Sequence, residues 1–336
     1  MSVMRALVTG GNGFLGRYIV EALLADGHAV TSVSRRAAPE LEALGATAVR
    51  CDLADPPAVE AAVRGHDTVF HVAAKTGVWG PYDDYHRANV LGTEHVLAAC
   101  RAAGVARLVY TGSPSATFDG RDHVHASNDV PYPERFLCAY PETKAIAERA
   151  VLAANGPELA TCALRPHLII GPRDPHLLPR LIARGRAGKL AIVGAGDNEV
   201  SLTWVENAAR AHVQAALALT PTAAHAGRAY FVNQADPVRL WDWVAEVFRA
   251  LDVPPIGRRL PLPVAFAIGA GMEGFWKLTG RAGEPPMTRF VALQLARSHS
   301  FDLAPIERDF GYTEEVTTAA ATERLIRHLS STRGAS

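Results

Sequence analysis

Tyr140 and Lys144 lie four residues apart in Tyr140-Pro141-Glu142-Thr143-Lys144 and so share one face of a helix that this string opens, with proline in the first turn where its missing N–H does no harm. A phenol ionises near pH ~10 and is a weak acid or base at neutral pH, but a neighbouring ammonium favours the phenolate and is expected to lower that value. Such a pair can give a proton to a developing alkoxide during carbonyl reduction, or take one in the reverse direction. Upstream, Tyr110-Thr111-Gly112-Ser113 ends a β-branched run, and Ser113 is placed to donate to the substrate oxygen as charge forms on it. Ser115 is a substitute two residues on, and a serine at a strand end is also a common turn former. Tyrosine and lysine at this spacing also occur on ordinary amphipathic helices. Their place just after a strand end, where open α/β sheets gather ligand groups, makes them catalytic candidates.

A second motif supplies what the first needs. Gly10-Gly11-Asn12-Gly13-Phe14-Leu15-Gly16 follows a short strand and opens a helix, with Gly10, Gly13 and Gly16 in G-x-x-G-x-x-G spacing. Glycine at the first two positions lets backbone approach a pyrophosphate, the third lets helix and strand pack closely, and the N–H groups around Phe14 and Leu15 point at the anion. The flanking strand and helix distinguish this from a plain turn. The next strand ends at Ser34, where NAD-binding folds usually place an acid, and Arg35 and Arg36 follow. A hydroxyl beside guanidinium groups suits a 2′-phosphate, so NADP(H) is expected over NAD(H); a solvated loop is the bland alternative. Asp52 with Leu53, after the third strand, could accept from an adenine amine or simply cap a helix.

Positioning these groups takes a β-α-β rhythm. Strands are predicted near Arg5–Thr9, Ala29–Ser34, Ala48–Cys51, Thr68–His71, Arg107–Thr111 and Thr161–Arg165. Helices are predicted near Phe14–Ala25, Pro57–Arg64, Tyr85–Ala103 and Tyr140–Ala154. The fold class is α/β: a Rossmann doubly wound parallel sheet over residues 1–170, then a smaller substrate-binding lobe over 171–330 with some chain returning to the sheet. In that second part Ala229–Asn233 reads as a strand, helices begin near Trp204, Leu240 and Pro263, and Ser330–Ser336 reads as a polar tail.

Composition narrows the partners. The chain has 336 residues, and Lys+Arg and Asp+Glu both number 34, so no excess of positive charge is available for nucleic acid. Cys51, Cys100, Cys138 and Cys162 have neither zinc nor disulfide-framework spacing and are expected to be reduced thiols in the cytoplasm. The first strand begins too near Met1 for a secretory signal. The apolar stretch Leu260–Met272 is short for a membrane span but suits an interfacial or lid helix in contact with a membrane surface or a partner enzyme. The 13 histidines form no H-E-x-x-H, His123-Val124-His125 reads as structural or solvent-facing, and no metal is expected.

With these motifs in this order, the chain resembles the extended short-chain dehydrogenases, and within them the 3β-hydroxysteroid dehydrogenase group, including bacterial reductases of 2-alkyl-3-oxoalkanoates in olefin synthesis. Supporting strings are His71-Val72-Ala73-Ala74-Lys75, Asn89-Val90-Leu91-Gly92-Thr93, Leu164-Arg165-Pro166-His167-Leu168-Ile169-Ile170-Gly171-Pro172 and Pro286-Met287-Thr288-Arg289-Phe290. The resemblance implies that Ala73, Ala74, Lys75 and Thr111 line the cofactor cleft, that Lys144 holds the nicotinamide ribose, and that Pro166 and Leu168 flank the nicotinamide. It also implies a homodimer. Gly112 departs from relatives that often carry serine there, which is expected to loosen the turn aiming Ser113.

The expected activity is interconversion of a ketone and a secondary alcohol on a small apolar or amphipathic substrate. Phe266, Met272, Phe275 and Trp276 of Leu262–Trp276 are offered as a groove wall, with burial in the core as the alternative. A sugar-nucleotide epimerase or reductase is the competing enzyme, and a non-catalytic NADP(H)-sensing regulator the competing class.

Overall fold

A computed structural model describes residues 3–175 and 177–333. Seven parallel strands form the central sheet: β1 (Arg5–Thr9), β2 (Ala29–Ser34), β3 (Thr47–Arg50), β4 (Thr68–His71), β5 (Arg107–Thr111), β6 (Ala160–Pro166) and β7 (Ala229–Val232). Their spatial order is β7-β6-β5-β4-β1-β2-β3, so chain order reverses between β1 and β4. That reversal opens a crevice beyond the carboxyl ends of β1 and β4, where doubly wound sheets bind ligands. β4 and β6 are buried throughout, which explains their apolar interiors, with the polar groups of His71 and Arg165 at their carboxyl ends paired by hydrogen bonds.

Helices cover both faces: α1 (Phe14–Ala25), α2 (Pro56–Val63), α3 (Gly92–Ala103), α4 (Ala139–Ala153) and α5 (Val205–Ala218). One apolar cluster joins α1 and α5 to the sheet through Ile19, Leu23, Val205 and Ala208, and a second joins α2, α3 and α4 through Val59, Val96, Cys100 and Val151. The single helix expected over Tyr85–Ala103 is three pieces: Tyr82–Tyr85, a π-helical turn His86–Leu91, and α3. The wider turn sends Asn89 inward, where its amide accepts from the Lys75 N–H at 2.7 Å and donates to Lys75 O at 3.1 Å and Thr143 Oγ1 at 3.0 Å.

The chain after Gly171 contributes both to this body and to a separate layer. It supplies β7 and α5, and residues Leu303, Ile306, Phe310 and Tyr312 complete the first core cluster. A second small sheet aligns His123–Ala126, Glu199–Val200, Val238–Arg239 and His299–Phe301. Its neighbouring core is built on Trp204, Trp243, Val247 and Phe248, the last three from α6 (Leu240–Ala250).

Helix α7 (Leu262–Thr279) bears on two expectations at once. Only Ala265, Gly269 and Glu273 are buried, against α8 (Arg289–Ala296) and the loop before it, while Val264, Ile268, Phe275 and Leu278 face solvent. Ala265 and Leu262 join a small core cluster with Val193, Trp241 and Ala292, so part of the helix packs into the core, but it is not a wall of the cavity beside Tyr140, whose lining includes none of Phe266, Met272, Phe275 and Trp276. An apolar composition on nearly every face carried no signal of which face would pack. No helix among the described residues is long and apolar enough to cross a membrane. The expected polar tail begins later than Ser330, since the last helix runs Thr318–Arg333; residues 334–336 lie outside the described residues.

Candidate active site

The glycine loop has the close approaches that its residue types suggested. Gly10 holds φ +68°, and a Cβ there would lie 2.9 Å from Ala73 Cα. A Cβ on Gly16 would run into the Gly10 carbonyl, and one on Gly11 into Ser32 Oγ, a buried hydroxyl without a hydrogen-bond partner. Gly13 caps α1 without any side-chain bond, and no acid sits in the first turn, so the amides around Phe14, Leu15 and Gly16 remain available to an anion. The residues present therefore fit a pyrophosphate at the sheet's switch point.

A hydrogen-bond chain ties this loop to the segment after β4. Thr9 Oγ1 accepts from the Val72 and Ala73 N–H groups at 3.1 and 3.2 Å, which sends its own hydrogen to His71 Nδ1 at 2.8 Å. His71 Nε2 then donates to Thr93 Oγ1 at 2.9 Å, and Thr93 donates to Asn89 O. Burial pushes the His71 imidazole down to about 3, with Lys144 adding to the shift, so the ring is a fixed neutral relay. This network places Ala73 and Ala74 beside the glycine loop. The Lys75 ammonium instead lies 3.5 Å from Asp84 and over the Tyr85 ring, while Asn89 holds its backbone.

At the adenosine end, Ser34 Oγ donates to Arg36 O at 2.6 Å and tightens the turn after β2. Arg35 and Arg36 are exposed and engage no carboxylate among the described residues. Asp52 accepts from the Ala54 N–H at 3.0 Å, whereas the N-cap of α2 is Asp55, accepting from Ala58 N at 3.3 Å. Leu53 packs against Gly92 and offers its carbonyl to His95 Nδ1 at 2.6 Å.

The catalytic candidates converge after β5. Ser113 Oγ is 2.8 Å from Ser115 Oγ and accepts from the Ser115 N–H at 3.3 Å, and Ser113 and Tyr140 line the same cavity. Lys144 is 2% exposed; its ammonium donates to Thr111 O at 2.6 Å and lies 4.1 Å from the centre of the Tyr110 ring. Thr111 gives its hydroxyl to His212 Nε2 at 2.9 Å, because His212 Nδ1 is already used by Ala208 O at 2.7 Å.

The expected lowering of the Tyr140 phenol by Lys144 is not met. Burial pushes the phenol above its ordinary value, and the nearby Ser113 hydroxyl offsets this only in part. The reason is geometric: Lys144 is engaged with Thr111 and Tyr110, and its own burial lowers it to about 7 against the opposing pull of Glu148. The phenol is therefore held as the proton-bearing form at neutral pH, the form that a ketone reduction consumes.

Gly112 is also explained. A Cβ at this position would approach Glu148 Oε2 closer than 3.0 Å and sit 3.2 Å from Arg165 Cγ. Glu148 is fully buried, takes Nε and Nη2 of Arg165 at 3.0 and 2.7 Å, and accepts from Tyr132 OH at 2.7 Å. The missing side chain makes room for this ion pair and does not signal a loose turn.

A cavity of about 180 Å³ lies against these groups, lined by Ser113, Tyr140, Pro166 and Leu168 and walled by Phe118, Phe290 and Phe301. His123, His167 and His299 line it too. His125 is exposed and His123 Nε2 lies 3.1 Å from Asp119 Oδ1, one ring facing solvent and the other tied into the fold. His167 and Phe290 stood inside strings already singled out; His299 and Phe301 belong to a three-residue strand with no local pattern, and the sequence carried no sign of them.

This fold and motif order define the extended short-chain dehydrogenases, enzymes that use a nicotinamide cofactor. A model of the 3-beta hydroxysteroid dehydrogenase/isomerase family matches residues 7–263, and the chain belongs to that family of ketone/alcohol oxidoreductases. It is 48% identical over 324 residues to the 2-alkyl-3-oxoalkanoate reductase of Stenotrophomonas maltophilia (strain K279a), covering 96% of this chain and 98% of that one. It is 34% identical over 338 residues to the Homo sapiens sterol-4-alpha-carboxylate 3-dehydrogenase, decarboxylating, covering 97% and 89%. Among solved structures, MoeE5 in complex with UDP-glucuronic acid and NAD matches with a TM-score of 0.72 and 27% identity over 97% of this chain and 99% of that one.

Proposed function

We propose that this protein interconverts a 3-oxo acid bearing an apolar chain and its 3-hydroxy acid, with NADP(H) preferred over NAD(H). The observation that carries the reading is the meeting of Ser113 and Tyr140 in one cavity walled by Phe118, Phe290 and Phe301. Two relatives named above act, by their names, on molecules with a carboxylate on the carbon next to the reacting one: a 2-alkyl-3-oxoalkanoate and a sterol-4-alpha-carboxylate reacting at C3.

When bound, the cofactor supplies or removes a hydride at the substrate carbon. Tyr140 gives its phenolic proton to the substrate oxygen in reduction, and Ser113 donates a hydrogen bond to that oxygen. Lys144 serves the nicotinamide ribose; Pro166 and Leu168 border the ring site. Gly10, Gly13 and Gly16 with the first turn of α1 take the pyrophosphate, Ala73 and Ala74 the wall beside it, and Asp52 and Leu53 the adenine side. Arg35 and Arg36, free of carboxylates, support the choice of a 2′-phosphate.

The four cysteines are free thiols, which fits lipid metabolism in the cytoplasm. The Val264, Ile268, Phe275 and Leu278 face of α7 is the surface available for contact with a membrane or partner enzyme, and sedimentation tests the homodimer. The decisive assay follows NADPH and NADH oxidation against 2-alkyl-3-oxoalkanoates, 3-ketosteroids and UDP-sugars. Preference for the first with NADPH supports the reading; turnover of UDP-sugars alone, with retained NAD, replaces it with the epimerase reading.

A further inference from the structure

The cavity beside Tyr140 contains no lysine, arginine, aspartate or glutamate among its lining residues. A carboxylate entering it loses water and finds only imidazoles able to become cationic. Burying an ion without a partner is costly enough that the site must either exclude the acid or supply a charge.

Two of these imidazoles have their tautomers fixed by the backbone. His299 Nε2 lies 2.9 Å from Gln294 O, and a carbonyl can only accept, so Nε2 carries the hydrogen and Nδ1 keeps a bare lone pair. That Nδ1 is buried with no partner, on a residue 3% exposed. His167 is the converse case: Nδ1 donates to Ser201 O at 2.6 Å, leaving Nε2 as an acceptor. The rings meet edge to face with centres 4.7 Å apart. An unpartnered buried acceptor is expensive, and on a ring that lines a cavity next to a catalytic centre it calls for a ligand.

We propose that His299, backed by His167, receives the carboxyl group of the substrate and binds it as a histidinium–carboxylate pair. The inference rests on the 3-oxo acid reading given above. The balance is simple: one proton moves from solvent onto Nδ1 of His299, forming an N–H bond, while the carboxylate keeps its charge and no substrate bond breaks. Burial holds His299 at about 4 and His167 well below its ordinary value, so both are neutral until an anion approaches and favours the charged ring.

The other charges near His299 are spoken for. His123, its neighbour in strand register, has Nε2 3.1 Å from Asp119 Oδ1; Asp122 accepts from Arg297 at 3.1 Å and from the Ser298 N–H at 2.7 Å. His123 disfavours a charge on His299 and Asp122 favours it, so neither substitutes for the incoming anion.

The test is calorimetric. The protein with NADPH is titrated at pH ~5.5, just above the value at which burial holds His299, with a 2-alkyl-3-hydroxyalkanoate, and separately with its methyl ester, in two buffers of different ionisation enthalpy. The acid is expected to take up a measurable fraction of a proton on binding and the ester none. In His299→Gln, the ratio of kcat/KM for the 3-oxo acid over its ester falls roughly 10- to 100-fold, the worth of a charged hydrogen bond. Acid binding without proton uptake overturns the proposal, as does an unchanged ratio in a folded variant; a hydroxyl held by Nδ1 would give that first result. If His299→Gln does not fold, the proton count on the parent protein decides. A parent that ignores both acid and ester while reducing another ketone overturns the substrate reading, and this inference with it.

Discussion

Replacing Gly112 by alanine should destabilise the protein through a side chain far from any obvious core position. The new Cβ would sit closer than 3.0 Å to Glu148 Oε2, so the carboxylate must retreat by several tenths of an ångström or more. Arg165 cannot readily follow, being 3% exposed and bounded by the Tyr132 and Phe231 rings. Its 3.1 Å bond to Oε2 is the first to break. One lost charge-assisted bond is worth ~2 kcal/mol and the overpacking ~1–3 kcal/mol, together about 3–5 kcal/mol. For a chain of this size that lowers Tm by roughly 4–7 °C. Thermal and urea unfolding of Gly112→Ala, Glu148→Ala and the double variant form a cycle. Because Glu148→Ala removes the obstruction, alanine at 112 should then cost less than ~1 kcal/mol, a coupling of about 2–4 kcal/mol. Additive losses within ~0.5 kcal/mol would refute the steric account.

Three further outcomes follow from the site. Tyr140→Phe should lower kcat for ketone reduction by at least ~100-fold while fluorescence titration shows NADPH still bound; parental turnover would remove Tyr140 from the chemistry. Arg35→Ala combined with Arg36→Ala should cut the kcat/KM preference for NADPH over NADH by about 10- to 100-fold, and an unchanged ratio would leave these arginines as surface groups. Acid should unfold the protein early, because burial holds His212 and His299 at about 4 and His71 at about 3. Each imidazole binds a proton more readily when unfolded, so its stabilising contribution is complete above pH ~6.5 and is lost as pH falls toward its folded value. His212→Gln should flatten the urea midpoint against pH between about 6.5 and 4, and a slope equal to the parent's would count against the assignment.

The sheet was largely legible because parallel strands buried on both faces leave short runs of sheet-forming residues between glycine and polar turns. The bounds of β1, β2, β4 and β5 match the reading, and β3 slides by one residue. The glycine loop, Ser113 and Tyr140 were equally visible because local spacing expresses their geometry. What escaped depends on tertiary packing. The π turn at His86–Leu91 arises where Asn89 reaches Lys75 and Thr143, partners 14 and 54 residues away. The direction of the Lys144 ammonium is set by Thr111, 33 residues off, which is why proximity along a helix misjudged the Tyr140 phenol. Strands of two and three residues, such as Glu199–Val200 and His299–Phe301, are too short to show a period of two.

The sheet's seventh strand has a consequence for how the protein is made. β7 and α5 arrive more than 200 residues into synthesis, and Phe310 and Tyr312 later still, yet all of them finish the core beneath the glycine loop. A nascent chain that has emerged only as far as β6 presents a fully buried, apolar strand as a naked edge. Cutting the gene after the nucleotide-binding motifs should therefore yield an insoluble fragment, and the ribosome must deliver most of the polypeptide before the first half can settle.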